Sequence, residues 1–191
     1  MMITGYGFAE QARSGQYNGI PYKDLDCQAF VERVLKDAGV RKKDGSIYNW
    51  KGSNSMWRTI TGWKGTVSEC KAAFGKIPMG AWVFIRKTDG GEADRGYHDQ
   101  LGNFTHVGIY CNLGGDPVRD STRYAGRDGV GYRPLKSFTH VLLPEFIDYV
   151  DDLDDTLYTV DTAATIIRDP NSNNADWIEA LTYLFNYLKG D

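Results

Sequence analysis

Residues 27–38 constrain this chain more than any other stretch. Apolar side chains fall at Cys27, Phe30, Val31, Val34, Leu35 and Ala38, the i, i+3, i+4, i+7 recurrence of a helix with one buried face, and Gly39 follows as a stop. Asp26 stands just before the first periodic residue, where a short acidic side chain caps a helix by accepting from N–H groups one turn on. A helix that begins at Cys27 must lay its apolar stripe against a partner surface. The strand signals come later, at Gly80–Ile85 and His106–Cys111, then more briefly at Val118–Thr122 and Gly131–Pro134, with Val141–Leu143 closing before Pro144. Helix first and antiparallel strands afterwards predict an α+β fold, with the Cys27 helix packed on a central antiparallel β-sheet.

Around this frame the signals are weaker. Phe8, Ala9 and Ala12 suggest a short helix that ends by Gly15, and Gly19-Ile20-Pro21-Tyr22 is a loop leading to Cys27. Residues 41–76 mix Lys, Gly, Ser and Asn with Trp50, Trp57, Trp63 and Phe74, which reads as short helices and loops. The three tryptophans there either line a groove or anchor the core. Thr88–Asn103 is a Gly- and charge-rich excursion between two strands.

The chain has 191 residues, 41% of them hydrophobic and 13% aromatic, more than a disordered chain carries. One main domain over 1–149 is expected. An acidic run (Asp148, Asp151, Asp152, Asp154, Asp155) marks a linker over 150–160, and 161–191 forms a C-terminal extension. The tail over 156–167 reads as strand or helix, and Trp177, Ile178, Leu181, Leu184, Phe185 and Leu188 make an amphipathic helical stripe ending at Gly190. The net charge of −3 hides an asymmetry, because residues 1–144 carry 20 Lys+Arg against 14 Asp+Glu whereas 145–191 carry 2 against 11. A mildly basic body suits an anionic polymer. Its basic residues are dispersed and belong to no nucleic-acid motif, so no nucleic-acid partner is expected. No apolar run approaches the ~18 residues of a membrane span, and the N-terminus lacks a basic segment followed by an apolar one, which predicts synthesis in the cytoplasm without a signal peptide.

Cys27, Cys70 and Cys111 show no CxxC spacing and cannot all pair. A thiol in the first turn of a helix meets exposed N–H groups and the positive dipole end, which favour thiolate over thiol. Far downstream, period two puts His106, Gly108 and Tyr110 on one strand face and Val107, Ile109 and Cys111 on the other. The second set suits the core, so His106 faces the helix start or solvent, with Gly108 leaving room for close approach of a helix or ligand. Singly, each residue reads as structural: a buried helix cysteine is ordinary core, and so is a strand histidine. Together they read as a thiol nucleophile and its base. His140 is a rival, because Phe138-Thr139-His140-Val141 repeats Phe104-Thr105-His106-Val107, but no surrounding similarity extends the repeat. His98 lies in the excursion, either at the cleft or on the surface. Cys27, His98, His106 and Asp120 lack metal-ligand spacing, and neither a metal nor a cofactor is expected.

Pro21-Tyr22, Asp26-Cys27-Gln28-Ala29-Phe30-Val31, Pro78-Met79-Gly80-Ala81-Trp82-Val83-Phe84 and His106-Val107-Gly108-Ile109-Tyr110 resemble the successive signatures of NlpC-type papain-like cell-wall peptidases. The resemblance covers roughly residues 5–145, and the excursion with Gly96-Tyr97-His98 resembles versions from bacteriophages and prophages. It implies a papain-like fold and a cysteine endopeptidase that cleaves amide bonds of peptidoglycan stem peptides through a thioester. Cys27 would be the nucleophile, and His106 the base that later protonates the leaving amine. Asp120 matches the position of the third, polar residue that orients the imidazole, with Ser121 and Asn103 as alternatives. Tyr22 matches a tyrosine near the oxyanion, and Asp26 an acid that meets the substrate's free amine. Gln28, where the family has Ser, and His98 complete the expected substrate contacts. Bacterial peptidoglycan is the implied partner, reached by phage-assisted release or from a virion. An N-acetylmuramoyl-L-alanine amidase, or a non-catalytic wall-binding or virion module on the same scaffold, are the alternatives.

Overall fold

The computed structural model of the chain describes residues 2–112, 117–124, 126–149 and 181. The expected acidic linker over 150–160 and the C-terminal extension lie outside the described residues, Leu181 apart. Within the described chain the order is β1 (Ile3–Thr4), α1 (Gly5–Arg13), α2 (Cys27–Asp37), α3 (Ser53–Thr59), β2 (Gly62–Thr66), α4 (Val67–Phe74), β3 (Trp82–Lys87), β4 (Asn103–Tyr110), β5 (Val118–Thr122), β6 (Gly129–Arg133), β7 (His140–Pro144) and β8 (Ile147–Asp148). Six of the strands make one antiparallel sheet in the order β2-β7-β3-β4-β5-β6, and β1 pairs with β8 in parallel. This is the α+β arrangement that the pattern predicts.

The helix at Cys27 forms for the reasons its sequence supplies. Asp26 Oδ1 accepts from the Ala29 N–H at 2.8 Å. At the other end the Gly39 N–H donates to Lys36 O and the Val40 N–H to Leu35 O, a paired closure of the last carbonyls. Phe30, Val31, Val34 and Leu35 are buried against the sheet, each stabilising the fold by about 2 kcal/mol. They meet Trp82, Phe84, Val107, Ile109, Cys111 and Leu142 in the larger core, together with Phe8, Ala9 and Ala12 of α1. The face of β4 expected to be buried is therefore the one in the larger core. The opposite sheet face has its own smaller core, where Val83, Val118, Val141 and Leu143 pack with Cys70 and Phe138.

One local expectation changes, one open alternative is decided and one boundary moves. The stretch 41–76 holds a strand, β2, besides its short helices: it runs along β7 from Gly62↔Pro144 to Thr66↔His140, and its sequence Gly-Trp-Lys-Gly-Thr offers no apolar alternation to announce it. The tryptophans serve as anchors. Trp57 stacks on Phe104 with centroids 4.3 Å apart, Trp50 meets Trp82 edge-on at 5.7 Å, and Trp63 meets Phe74 at 5.4 Å. Strand β4 starts at Asn103, earlier than expected, and its pairing with β3 shifts register where Ile85↔His106 is followed by Arg86↔Phe104, leaving Thr105 as an extra residue.

The excursion between β3 and β4 is fastened to α3. Arg58 donates to both oxygens of Asp99, at 2.6 and 2.8 Å, and to Gly102 O at 3.1 Å, with its guanidinium 4.3 Å from the centre of the Tyr97 ring. Asn54 Nδ2 donates to Asn103 Oδ1 at 2.8 Å, and Asn103 Nδ2 to Asp89 Oδ1 at 3.0 Å.

Candidate active site

Cys27 heads α2 and is 7% exposed. The loop before it is held by the β5–β6 hairpin. Ser121 Oγ donates to Leu25 O, and the Tyr22 N–H donates to Asp128 Oδ1 at 3.1 Å. Gly129 lies so close to this loop that a Cβ there would stand 2.1 Å from Ile20 O, and its φ of 114° excludes most side chains in any case. The hairpin and the loop before Cys27 thus fit as one unit, though they are about a hundred residues apart in sequence.

His106 extends from β4, 8% exposed, between two partners. Its Nε2 lies 2.6 Å from Asp120 Oδ2 on β5, and the Cys27 thiol is within hydrogen-bond reach of the same ring. With Nε2 engaged by the carboxylate, Nδ1 is the nitrogen left for the thiol. Burial by itself lowers the proton affinity of His106, but the hydrogen bonds to Asp120 and Cys27 outweigh it and raise the pKa to about 9. Thiol, imidazole and carboxylate therefore line up in the order a nucleophile, its base and an orienting group require.

Asp120 is the third member in this geometry, and the two alternatives are otherwise engaged: Ser121 with Leu25 O, and Asn103 with Asn54 and Asp89. Asp120 is fully buried. Its Oδ1 accepts from Arg127 Nη2, and its Oδ2 accepts from Arg133 Nη1 at 3.2 Å as well as from His106. The neighbouring arginines in sequence are not its partners. Arg119 points to the opposite face and donates to Asn18 Oδ1 at 2.6 Å and Tyr132 Oη at 2.9 Å, while the Arg123 guanidinium lies 5.4 Å from the Tyr22 ring centre. Gly108 does leave room, but for β5: a Cβ there would meet Val118 Cγ1 at 2.6 Å and Asp120 Cβ at 3.1 Å. The space expected for a helix or ligand is filled by the sheet neighbour that carries the carboxylate.

Among the expected substrate contacts, Tyr22 is at the site. Its hydroxyl is within hydrogen-bond reach of Cys27, and burial, then the thiol and Asp26, raise its pKa against the lowering influence of Arg123. Asp26 is exposed and its carboxylate caps α2. Gln28 turns to the protein instead, because its Nε2 donates to Glu32 Oε1 at 2.8 Å and Trp50 O at 2.5 Å, and its Oε1 accepts from the Gly52 N–H. That amide pins the loop at 50–52 to α2. His98 is exposed on the excursion and is not brought to the thiol. His140 packs edge-on to the rings of Trp57 and Phe104, each 5.4 Å away, and burial followed by Arg86 lowers its pKa.

Sequence reasoning missed Arg127 and Arg133. The signal lay in pairing: Gly131 stands opposite Asp120, so Arg133, two residues on, shares its sheet face. Cys70 and Cys111 are buried thiols, with pKa values pushed up by burial to about 11 and about 12. Among the described residues no group of three His, Cys, Asp or Glu side chains is placed to hold a metal ion, and no helix is long and apolar enough to cross a membrane. Comparison of the chain with protein-family models, with curated proteins and with solved structures finds no match in any of the three.

Proposed function

We propose that this chain is a cysteine peptidase of papain-like architecture that hydrolyses amide bonds in peptidoglycan stem peptides. The observation that carries the chemistry is the line from Cys27 through His106 to Asp120, with the imidazole 2.6 Å from a buried carboxylate and in reach of the thiol at the start of α2. The substrate class comes from the resemblance of the motifs around Tyr22, Cys27, Trp82 and His106 to those of NlpC-type enzymes.

In the first half of the reaction Cys27 Sγ attacks the scissile carbonyl carbon, and the proton held by His106 passes to the departing amine, leaving a thioester. A water deprotonated by His106 then attacks the thioester carbonyl, and the thiol leaves as the acid product forms. Asp120 holds the ring in the orientation both steps need, accepting from Nε2 and leaving Nδ1 for the sulfur. The Tyr22 hydroxyl, which interacts with the thiol, would donate toward the oxygen of the tetrahedral intermediate. The complete thiol, imidazole and carboxylate set supports catalysis over an inert binding module.

Digestion of purified peptidoglycan with the wild type and with Cys27→Ala tests the reading, with fragment masses as readout. Release of stem-peptide fragments by the wild type alone is the expected result. Fragments cut between sugar and peptide would mean an amidase, and equal lysis by Cys27→Ala would overturn the nucleophile.

A further inference from the structure

We propose that Arg127 and Arg133 are positioning residues of the catalytic unit: they fix Asp120 and limit how strongly its charge favours the imidazolium, so that His106 remains able to release its proton. The proposal rests on the reading of Cys27 and His106 as nucleophile and base.

Both oxygens of the buried carboxylate are claimed. Oδ1 takes Arg127, and Oδ2 is shared between Arg133 at 3.2 Å and His106 at 2.6 Å, which puts the guanidinium and imidazole nitrogens within about 6 Å of each other. Guanidinium groups do not deprotonate in proteins, so two fixed positive charges face one negative charge before the imidazole gains its proton. Neither arginine is a loose surface cation. Arg127 Nη1 donates to Tyr132 O at 2.8 Å, and the Arg133 guanidinium lies between the rings of Tyr124, 4.6 Å away, and Phe138, 5.4 Å away. Phe138 in turn packs on the His106 ring, with centroids 6.0 Å apart.

The charged and titratable groups bearing on His106 are few and each comes from a different element. They are Cys27 of α2, Asp120 of β5, Arg133 of β6 through the shared Oδ2, and Arg127 of the hairpin turn through Oδ1, while Tyr22 and Asp26 act on the thiol. Asp120 and a thiolate favour the imidazolium; the arginines oppose it. A base bound too tightly to its proton cannot hand it to a leaving amine, so the arginines set the working range of an aspartate that would otherwise over-stabilise the charged ring.

The test is an NMR titration of the imidazoles in the full chain carrying Cys27→Ala, which removes coupling to the thiol. The chain has three histidines, so His98→Gln and His140→Gln assign the signals. Adding Arg133→Gln is expected to raise the His106 midpoint by about 1 pH unit, from the loss of one charge at this separation. Arg133→Lys, which keeps the charge, is expected to stay nearer the parent value, and the His140 midpoint is expected to hold still. An unmoved or lowered His106 midpoint in Arg133→Gln overturns the proposal, because an arginine that only supports the fold would leave it in place. If Arg133→Gln does not fold, Arg127→Gln must give the same upward shift, and its absence is equally fatal. No substrate enters this measurement: a shifted titration, with a wild-type chain that leaves peptidoglycan intact, refutes the peptidase reading and keeps the arginine effect, whereas digestion by the wild type with an unmoved midpoint keeps the peptidase reading and overturns the arginine effect.

Discussion

Two segments of this chain have the same four residues, Phe-Thr-His-Val at 104–107 and at 138–141, and the fold sets them on either side of β3. The histidine of the first pairs with Ile85 and that of the second with Phe84. Their phenylalanines are exchanged: Phe138 packs on His106 and Phe104 on His140. Yet one imidazole meets a thiol and a buried carboxylate, whereas the other meets Trp57, Phe104 and the charge of Arg86, and their proton affinities move in opposite directions. Identical local sequence thus leaves the chemistry of a histidine undecided; the neighbouring strand and helix decide it.

The largest contrast is expected in turnover. His106→Ala should lower peptide hydrolysis by about 10³-fold or more, the usual scale for losing a general base with its nucleophile unsupported, while His140→Ala should stay within about 2-fold of wild type. Comparable losses in a fragment-release assay would erase the distinction. Next comes Asp120→Asn, which deprives His106 of its carboxylate and leaves the buried Arg133 and the half-buried Arg127 guanidiniums short of a counter-charge. Removing one partner of such a cluster costs about 3–5 kcal/mol, read by urea unfolding. A cost under about 1 kcal/mol would show that the arginines do not depend on Asp120.

The pH dependence of stability should separate the two rings by sign. His106 has a folded pKa of about 9, above its ordinary value of 6.5, so its contribution is fully present below pH 6.5 and is lost as pH rises through 9; the ceiling is about 3 kcal/mol. His140 is shifted downward, so its contribution is present above the unfolded value and is lost as pH falls through the folded one. Unfolding curves of wild type, His106→Gln and His140→Gln across this range would show the first variant flattening the alkaline slope and the second the acid slope. The smallest effects belong to the exchanged rings. Phe104→Leu and Phe138→Leu should each cost about 1 kcal/mol of stability, the scale of a lost aromatic contact, but only Phe138→Leu should lower kcat. Equal kinetic effects would make the ring beside His106 mere packing.

Much of this arrangement was legible from the chain because it is local. The α2 stripe, its Asp26 cap and Gly39 lie within a dozen or so residues, and the buried face of β4 follows from alternation around Val107, Ile109 and Cys111. Asp120 was reachable through the resemblance, which implies a polar residue on the strand after the histidine. What was hidden depends on contacts distant in sequence. Gln28 is occupied by a loop more than twenty residues on, Tyr22 is held by Asp128, and Arg133 reaches Asp120 through the β5–β6 pairing. Strand β2 was hidden for another reason: a sequence with two glycines and one aromatic pairs because β7 offers it an edge, and propensity has little part in it.

The extra residue at Thr105 gives β4 a change of phase. Strict alternation would put Phe104 on the side of His106, Gly108 and Tyr110, yet Phe104 sits in the larger core with Val107 and Ile109. A single strand can therefore supply two aligned needs that a uniform strand would set against each other. Its first residues fill the core beneath α3, and two positions later it sends the imidazole to Asp120, so the same inserted residue that breaks the rhythm reconciles packing with the imidazole–carboxylate pairing along one continuous piece of backbone.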